Sequence, residues 1–319
     1  MDFGSLPIFD TNTLRIVCVS DTHEDNPAAS IPDGDIFIHA GDMTDYGNVA
    51  EFTTVLEWVQ DLPHKVKILI AGNGDATLDD PYSQQNARLQ NLKTDKIRNR
   101  FNPEALALFT SPDMKAKGIH YLDREVRTVA YYRVRGSDTP RELNIYGNPL
   151  MPEFSPNRWP FTYPPHRSPE ADEAWSKAPT AQDTVPIWVT HTPPLDRLDI
   201  ANVAGFSGCA VLAEKIAAAR PSLCVFGHFH YSWGVERVKW CREDYGIVEA
   251  QILTLSEERK KGKGVEGLET KTEFDFSDSG AEGRLQTWEE TVCVNAAWMT
   301  TKKTKVEVRN MPIVVTLTL

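Results

Sequence analysis

The stretch Asp35-Ile36-Phe37-Ile38-His39-Ala40-Gly41-Asp42-Met43-Thr44-Asp45 decides how the chain is read. An apolar run ends in a glycine, and a carboxylate follows at once. That pattern is a buried strand delivering Asp42 to the C-terminal edge of a sheet, where open α/β sheets place their ligands. Four further strand ends repeat it. The run 14–20 leads into Asp21-Thr22-His23, and 66–71 into Gly72-Asn73-Gly74-Asp75. The run 187–190 leads into His191, and 223–226 into Gly227-His228-Phe229-His230. The Asp, Asn and His gathered there are hard or borderline metal ligands, with no cysteine among them. Asp42 is the natural bridge, because one carboxylate can give an oxygen to each of two cations.

Working outward, residues 48–62 carry Val49, Phe52, Val55, Leu56 and Val59 at helical spacing, and Pro63 stops the helix. Residues 78–100 read as one or two solvated helices, 104–109 as a short helix opened by Pro103, and 208–220 as a helix ended by Pro221. The period-two runs 126–132 and 143–146 read as antiparallel strands of a second sheet. Strands return at 291–295, 306–308 and 313–317, whereas the signal from 233 to 290 is poor. Residues 148–186 are rich in proline and aromatics and include Phe154, Trp159, Phe161, Tyr163, Trp175, Arg158, His166 and Arg167. So many large rings in one segment predict an ordered loop over a site. Residues 256–270 read as a mobile solvated loop. His39, inside a strand, is expected to be structural, and His64 and His120 to be surface or loop residues.

The chain of 319 residues is long enough to bury a core on both sides of a sheet, and no linker separates two cores, so 1–319 is expected to be one domain. The formal charge of −11 argues against nucleic acid or an anionic membrane as partner, leaving a small-molecule substrate. It also means that local cations must attract any anionic substrate. The five cysteines sit mostly in apolar runs, which suits a reducing compartment without a disulfide framework. The first residues have no signal-peptide pattern and no run approaches membrane-span length, so a cytoplasmic protein is expected. Nothing in the sequence speaks to oligomeric state.

Together, Asp21-Thr22-His23, Gly41-Asp42 with Asp45, Gly72-Asn73-Gly74-Asp75, His191 and Gly227-His228-Phe229-His230 resemble the calcineurin-like metallophosphoesterase superfamily. Asn144-Ile145-Tyr146-Gly147-Asn148-Pro149, Thr190-His191-Thr192-Pro193-Pro194 and Gly208-Cys209 are similar to its metallophosphoesterase-domain-containing branch. The resemblance runs from about residue 15 to 295. It implies an α/β fold of two facing mixed β-sheets flanked by helices, in four layers, with a two-metal site at the strand ends. By position, Asp21, His23 and His230 hold the first divalent ion; Asn73, His191 and His228 hold the second; and Asp42 bridges. The ions implied are Mn, Fe or Zn. Two such ions about 3.5–4 Å apart can share a hydroxide, lower its pKa and clamp phosphate oxygens. Asp42, Asn73, Asp75 and His191 are then the candidate catalytic residues, and Gly74, Arg158, Trp159 and Phe161 the candidate substrate contacts.

One position departs from the family pattern, Gly-Asn-His-Asp or Gly-Asn-His-Glu, because residue 74 is glycine. The missing histidine lies near the substrate in the family, and losing a general acid typically costs about 10²–10⁴ in rate. Gly74 is expected to leave open space beside the metals and Asp75 without its usual partner. The reading is a metal-dependent phosphodiesterase of weak or narrow activity on a small, nucleotide-like substrate. The alternatives are a metal pair redirected as Lewis acids to a non-phosphate metabolite, or a metal- and nucleotide-binding protein without turnover.

Overall fold

In this computed structural model the described residues are 8–9, 13–79, 103–134, 140–154, 159–165, 167–202, 205–206, 208–244, 246–257, 260–261, 268–300 and 309–318. Two large sheets carry the fold. The first contains β2 (Thr13–Val19), β3 (Ile36–His39), β4 (Val66–Leu69), β5 (Ile119–Tyr121), β12 (Glu273–Phe276) and β14 (Ile313–Thr318), in the order β12-β14-β2-β3-β4-β5. The second contains β1 (Ile8–Phe9), β6 (Glu125–Val134), β7 (Pro140–Asn148), β8 (Ile187–Thr190), β9 (Leu223–Phe226), β10 (Gly234–Trp240), β11 (Ile247–Leu255) and β13 (Glu290–Asn295). Its order is β1-β6-β7-β8-β9-β13-β10-β11. Each is mixed. The centre of the first, β2-β3-β4-β5, is parallel, as is β7-β8-β9-β13 in the second; β14 against β2, and the β6-β7 and β10-β11 pairs, are antiparallel.

The central strands read as unbroken apolar runs because both of their faces are covered. Leu14, Ile16 and Cys18 of β2 pack with Ile187, Val189, Leu223 and Val225 of the other sheet, forming the core between the sheets. The alternate residues Val17 and Val19 face outward onto α1 (Val49–Asp61) and α2 (Pro103–Thr110), through Phe52, Val55 and Phe109. On the far side, Trp188 and Phe226 pack against α4 (Pro169–Ala174) and α5 (Ala210–Ala219), with α3 (Pro112–Ala116) following α2 near β5. The result is helix, sheet, sheet, helix. α1 starts where Asn48 and Glu51 form a reciprocal capping box: the Glu51 amide donates to Asn48 Oδ1 at 3.0 Å, and the Asn48 amide to Glu51 Oε2 at 3.2 Å. It stops because Leu62 is extended ahead of Pro63.

Several expectations are corrected here. The weak region 233–290 contains three strands, β10, β11 and β12. β11 escapes a pattern reading because its first five residues are exposed on both faces, so no alternation marks it. Neither His64 nor His120 is on the surface: His64 lies in a loop but its ring is buried against Phe37 at 5.7 Å between centroids, and His120 is the buried middle residue of β5. Lys260, expected in a solvated loop, is buried and hydrogen-bonds to Glu257 at 2.8 Å and Thr270 at 2.5 Å. Most of the helix expected at 78–100 and the whole strand expected at 306–308 lie outside the described residues. All five cysteines are unpaired. No helix among the described residues is long and apolar enough to cross a membrane.

Candidate metal centre

Both sheets deliver side chains to one edge. Asp21 follows β2, Asp42 follows β3 and Asn73 follows β4, while His191 follows β8 and His228 and His230 follow β9. The two sets meet at the seam: the Ser20 amide donates to the Ala296 carbonyl at 2.9 Å, and the His228 amide donates to both Asp21 carboxylate oxygens at 3.0 Å. Four of the seven expected ligands hold left-handed backbone, with φ of 54° at Asp21, 45° at His23, 52° at Asp42 and 65° at His228. That conformation is costly for side-chain-bearing residues and persists where surrounding contacts over-determine it. Gly41, at φ 98°, makes the sharpest of these turns; a Cβ there would run into the Ala71 carbonyl and the His191 ring, each 2.6 Å away.

Two clusters result. Asp21, His23 and His230 form one, and Asp42, His191 and His228 the other, with ligand atoms within 4.8 Å of one another in each. His230 Nε2 lies 3.4 Å from both Asp21 Oδ1 and His23 Nε2. Asp42 divides between the clusters: Oδ1 is 3.4 Å from His191 Nε2, and Oδ2 is 3.5 Å from His23 Nε2. The His191 and His228 rings are 5.1 Å apart. Asn73 Oδ1 is buried without a hydrogen-bond partner, and so is His191 Nε2. Buried polar atoms are rarely left unpaired, and an orphaned oxygen and imidazole nitrogen beside shared carboxylates fit a pair of divalent cations.

Neighbouring groups orient these donors. The Ala40 carbonyl, 2.8 Å from His191 Nδ1, accepts a hydrogen bond from that nitrogen and leaves Nε2 toward Asp42. Asp45 Oδ1 lies 2.9 Å from His23 Nδ1 and orients that ring by its charge in the first cluster. Burial opposes charge on Asp42, but His191, His23 and the Gly74 amide outweigh it and hold the carboxyl well below its usual range. Burial also opposes protonation of His23 and His191, yet the facing carboxylates raise both to about 9 in the metal-free chain. His228 is pushed down to about 3 by burial and by the charge of His191. The carboxylates therefore favour positive charge between them, whether it is carried by an imidazolium or by a metal cation.

Asp75 is placed otherwise than expected. Its carboxylate accepts four hydrogen bonds, from the Thr44 amide at 3.0 Å, the Thr44 hydroxyl at 2.8 Å, the Met43 amide at 3.2 Å and the Gly72 amide at 2.9 Å. It is a strut joining the Asp42 and Asn73 loops. The space expected beside Gly74 is also absent: a Cβ built there would overlap the Thr44 carbonyl oxygen, well inside 3.0 Å. Phe161 is buried in the outer core, and its amide donates to Asp79 Oδ2 at 2.6 Å. Arg158 and His166 lie outside the described residues. Arg167 points away to Glu214, 2.6 Å distant on α5. Trp159 stacks on Phe154 at 5.7 Å between centroids and 24° between planes, and Phe154 meets the His228 ring edge-on at 4.7 Å. In the sequence Phe154 is one aromatic among several, and its contact with His228 comes only from the folded arrangement. Thr44 neighbours Asp45 in the sequence, and its role lies in the two hydrogen bonds it donates to Asp75.

The calcineurin-like phosphoesterase family model matches residues 14–232, a span that contains all seven expected ligands. The chain belongs to that family. A calcineurin-like phosphoesterase of this kind carries a dinuclear divalent metal centre, and the two clusters above are where this one would hold it. Among curated relatives, Metallophosphoesterase domain-containing protein 1 of Homo sapiens is 34% identical over 225 residues, 69% of this chain and 62% of that protein. Probable rhamnogalacturonate lyase C of Emericella nidulans is 32% identical over 241 residues, 74% of this chain and 19% of that protein. The chain thus spans under two thirds of the first relative and about a fifth of the second. The purple acid phosphatase PPD1 of yellow lupin (Lupinus luteus) seeds overlays 95% of this chain and 47% of its own, at 11% identity and a TM-score of 0.40.

Proposed function

We propose that the chain is a dinuclear-metal-dependent phosphodiesterase acting on a small molecule. The observation that carries this reading is the division of one carboxylate, Asp42, between two three-residue clusters. Asp21, His23 and His230 would hold one ion, and Asn73, His191 and His228 the other, with Asp42 shared. Nitrogen and oxygen donors without thiolate suit Mn, Fe or Zn. When bound, such a pair supplies Lewis acidity toward a phosphoester and activates water at neutral pH. A phosphodiester needs this more than a neutral ester does, because its attack brings together two anions.

The chain's own residues set the rest. His191 and His23 are fixed in orientation by Ala40 and Asp45, and the Asp75 strut holds the Met43, Thr44 and Gly72 amides in place. Residue 74 offers no imidazole to protonate a departing alkoxide. Turnover then depends steeply on leaving-group acidity, so aryl diesters react well and alkyl diesters poorly, which is the sense in which activity is weak or narrow.

The test loads metal-free protein with Mn²⁺ and measures bound metal and hydrolysis of bis(4-nitrophenyl) phosphate together. Two ions per chain with turnover are expected, and Asp42→Ala should lose both ions and all activity. Two ions bound without turnover would replace the hydrolase reading with a binding protein.

A further inference from the structure

Phe154 and Trp159 are 44% and 38% exposed, and they are stacked on each other beside the second cluster. Exposed aromatic pairs normally gain by burial, yet this one stays in solvent and sits one ring spacing from His228. Neither ring belongs to a core cluster, in contrast to Phe161 and Tyr163 of the same loop. Trp159 also borders a cavity of about 1300 Å³ that contains none of the expected ligands. Among the described residues, six carboxylates and three cations line that cavity. Two of the cations are already paired, Arg124 with Asp123 at 2.9 Å and Arg127 with Glu125 at 2.6 Å.

We infer that the Phe154–Trp159 pair is a docking platform for a planar, uncharged ring carried by the substrate phosphoester. This deepens the phosphoesterase reading and rests on it. A phosphate held at the clusters would lie beside His228, and a ring attached to it would be within reach of the Phe154–Trp159 stack. Stacking is the interaction such a surface offers, and it discriminates flat rings from alkyl groups without hydrogen bonds. Among the described residues carboxylates outnumber cations beyond Trp159, which favours an uncharged ring there over a further phosphate. Phe154 and Trp159 are thus specificity residues, separate from those that would hold the ions.

The test compares phenylphosphonate with methylphosphonate, which share a head group, differ in the ring and are not hydrolysed. Calorimetric titration of Mn²⁺-loaded protein should show phenylphosphonate binding about tenfold tighter. Phe154→Ala and Trp159→Ala should each erase most of that preference, Trp159→Phe should keep it, and bound metal should stay at the wild-type level in all three. Equal affinity for the two phosphonates in the wild type, or a preference that survives both alanine variants, overturns the platform and leaves the phosphoesterase reading standing. If neither phosphonate binds, the phosphate site itself is absent and both inferences fall.

Discussion

The carbonyl oxygen of Thr44 occupies the space into which a side chain at Gly74 would grow. The same loop is fastened twice more, because the Gly74 amide donates to Asp42 Oδ1 at 2.7 Å and the Thr44 hydroxyl to the Gly74 carbonyl at 3.3 Å. Glycine at 74 is therefore part of how Asp42 is aimed, and reinstating the family's histidine is not a simple gain.

Gly74→His should lower stability by about 1–3 kcal/mol, as backbone must move to admit the Cβ. It should weaken metal retention through Asp42 and leave phosphodiester hydrolysis no higher than wild type. Thermal unfolding, elemental analysis and an aryl diester assay on one preparation check this. A tenfold gain in rate at unchanged melting temperature would show that the Thr44 loop yields easily.

Asp75→Asn replaces an acceptor of four hydrogen bonds with a group that must present a donor to the Thr44, Met43 or Gly72 side. With hydrogen bonds to a charged group worth about 1.5–3 kcal/mol, a loss of about 2–4 kcal/mol is expected by denaturant unfolding. A catalytic role for Asp75 alone would instead give a slow enzyme of normal stability.

Asp45 is half-exposed, so its removal should cost little stability. Asp45→Asn should nevertheless weaken one ion about 10–100-fold, since the His23 ring loses the group that orients it. Chelator competition should resolve one weakened ion and one unchanged. Loss of both, or of neither, would remove Asp45 from that role.

Two buried imidazoles give the protein an acid sensitivity of its own. Burial, then Lys67, brings His64 from 6.5 down to about 4, and burial, then Arg127 and Lys115, does the same to His120. Between those values the unfolded chain binds protons that the folded chain refuses. Stability is whole above about pH 6.5, declines as pH falls toward 4, and loses nothing more from these groups below that. The melting temperature of His64→Gln should accordingly drop less between pH 7 and pH 5 than that of the wild type, at equal metal concentration. Parallel curves would sink the assignment.

The parts of the fold that were legible in the sequence are those with strong local pattern. β2, β3, β4, β8 and β9 are short apolar runs ending in chemistry, and α1 announces itself through Asn48, Glu51 and Pro63. The seven candidate ligands could be named because each lies within four residues of the end of such a run and matches a position of the family's motifs. What stayed hidden depends on packing between distant segments. A glycine at 74 looks like a vacancy until the Thr44 carbonyl is brought against it, 30 residues away in sequence. An isolated His64 gives no sign that Phe37 will cover it, and Phe154 and Phe161 look equivalent until one enters the core and the other meets His228.

Each expected ion would draw ligands from both sheets: Asp21 and His23 with His230 for one, and Asp42 and Asn73 with His191 and His228 for the other. The cations would thus rivet the two halves of the sandwich at the end where left-handed backbone stores strain. Because ligands that bind only the folded state stabilise it by mass action, stripping the metals should open this seam first. Cells short of divalent metal would then clear the protein by proteolysis, so metal supply would govern how much of it exists as well as what it can do.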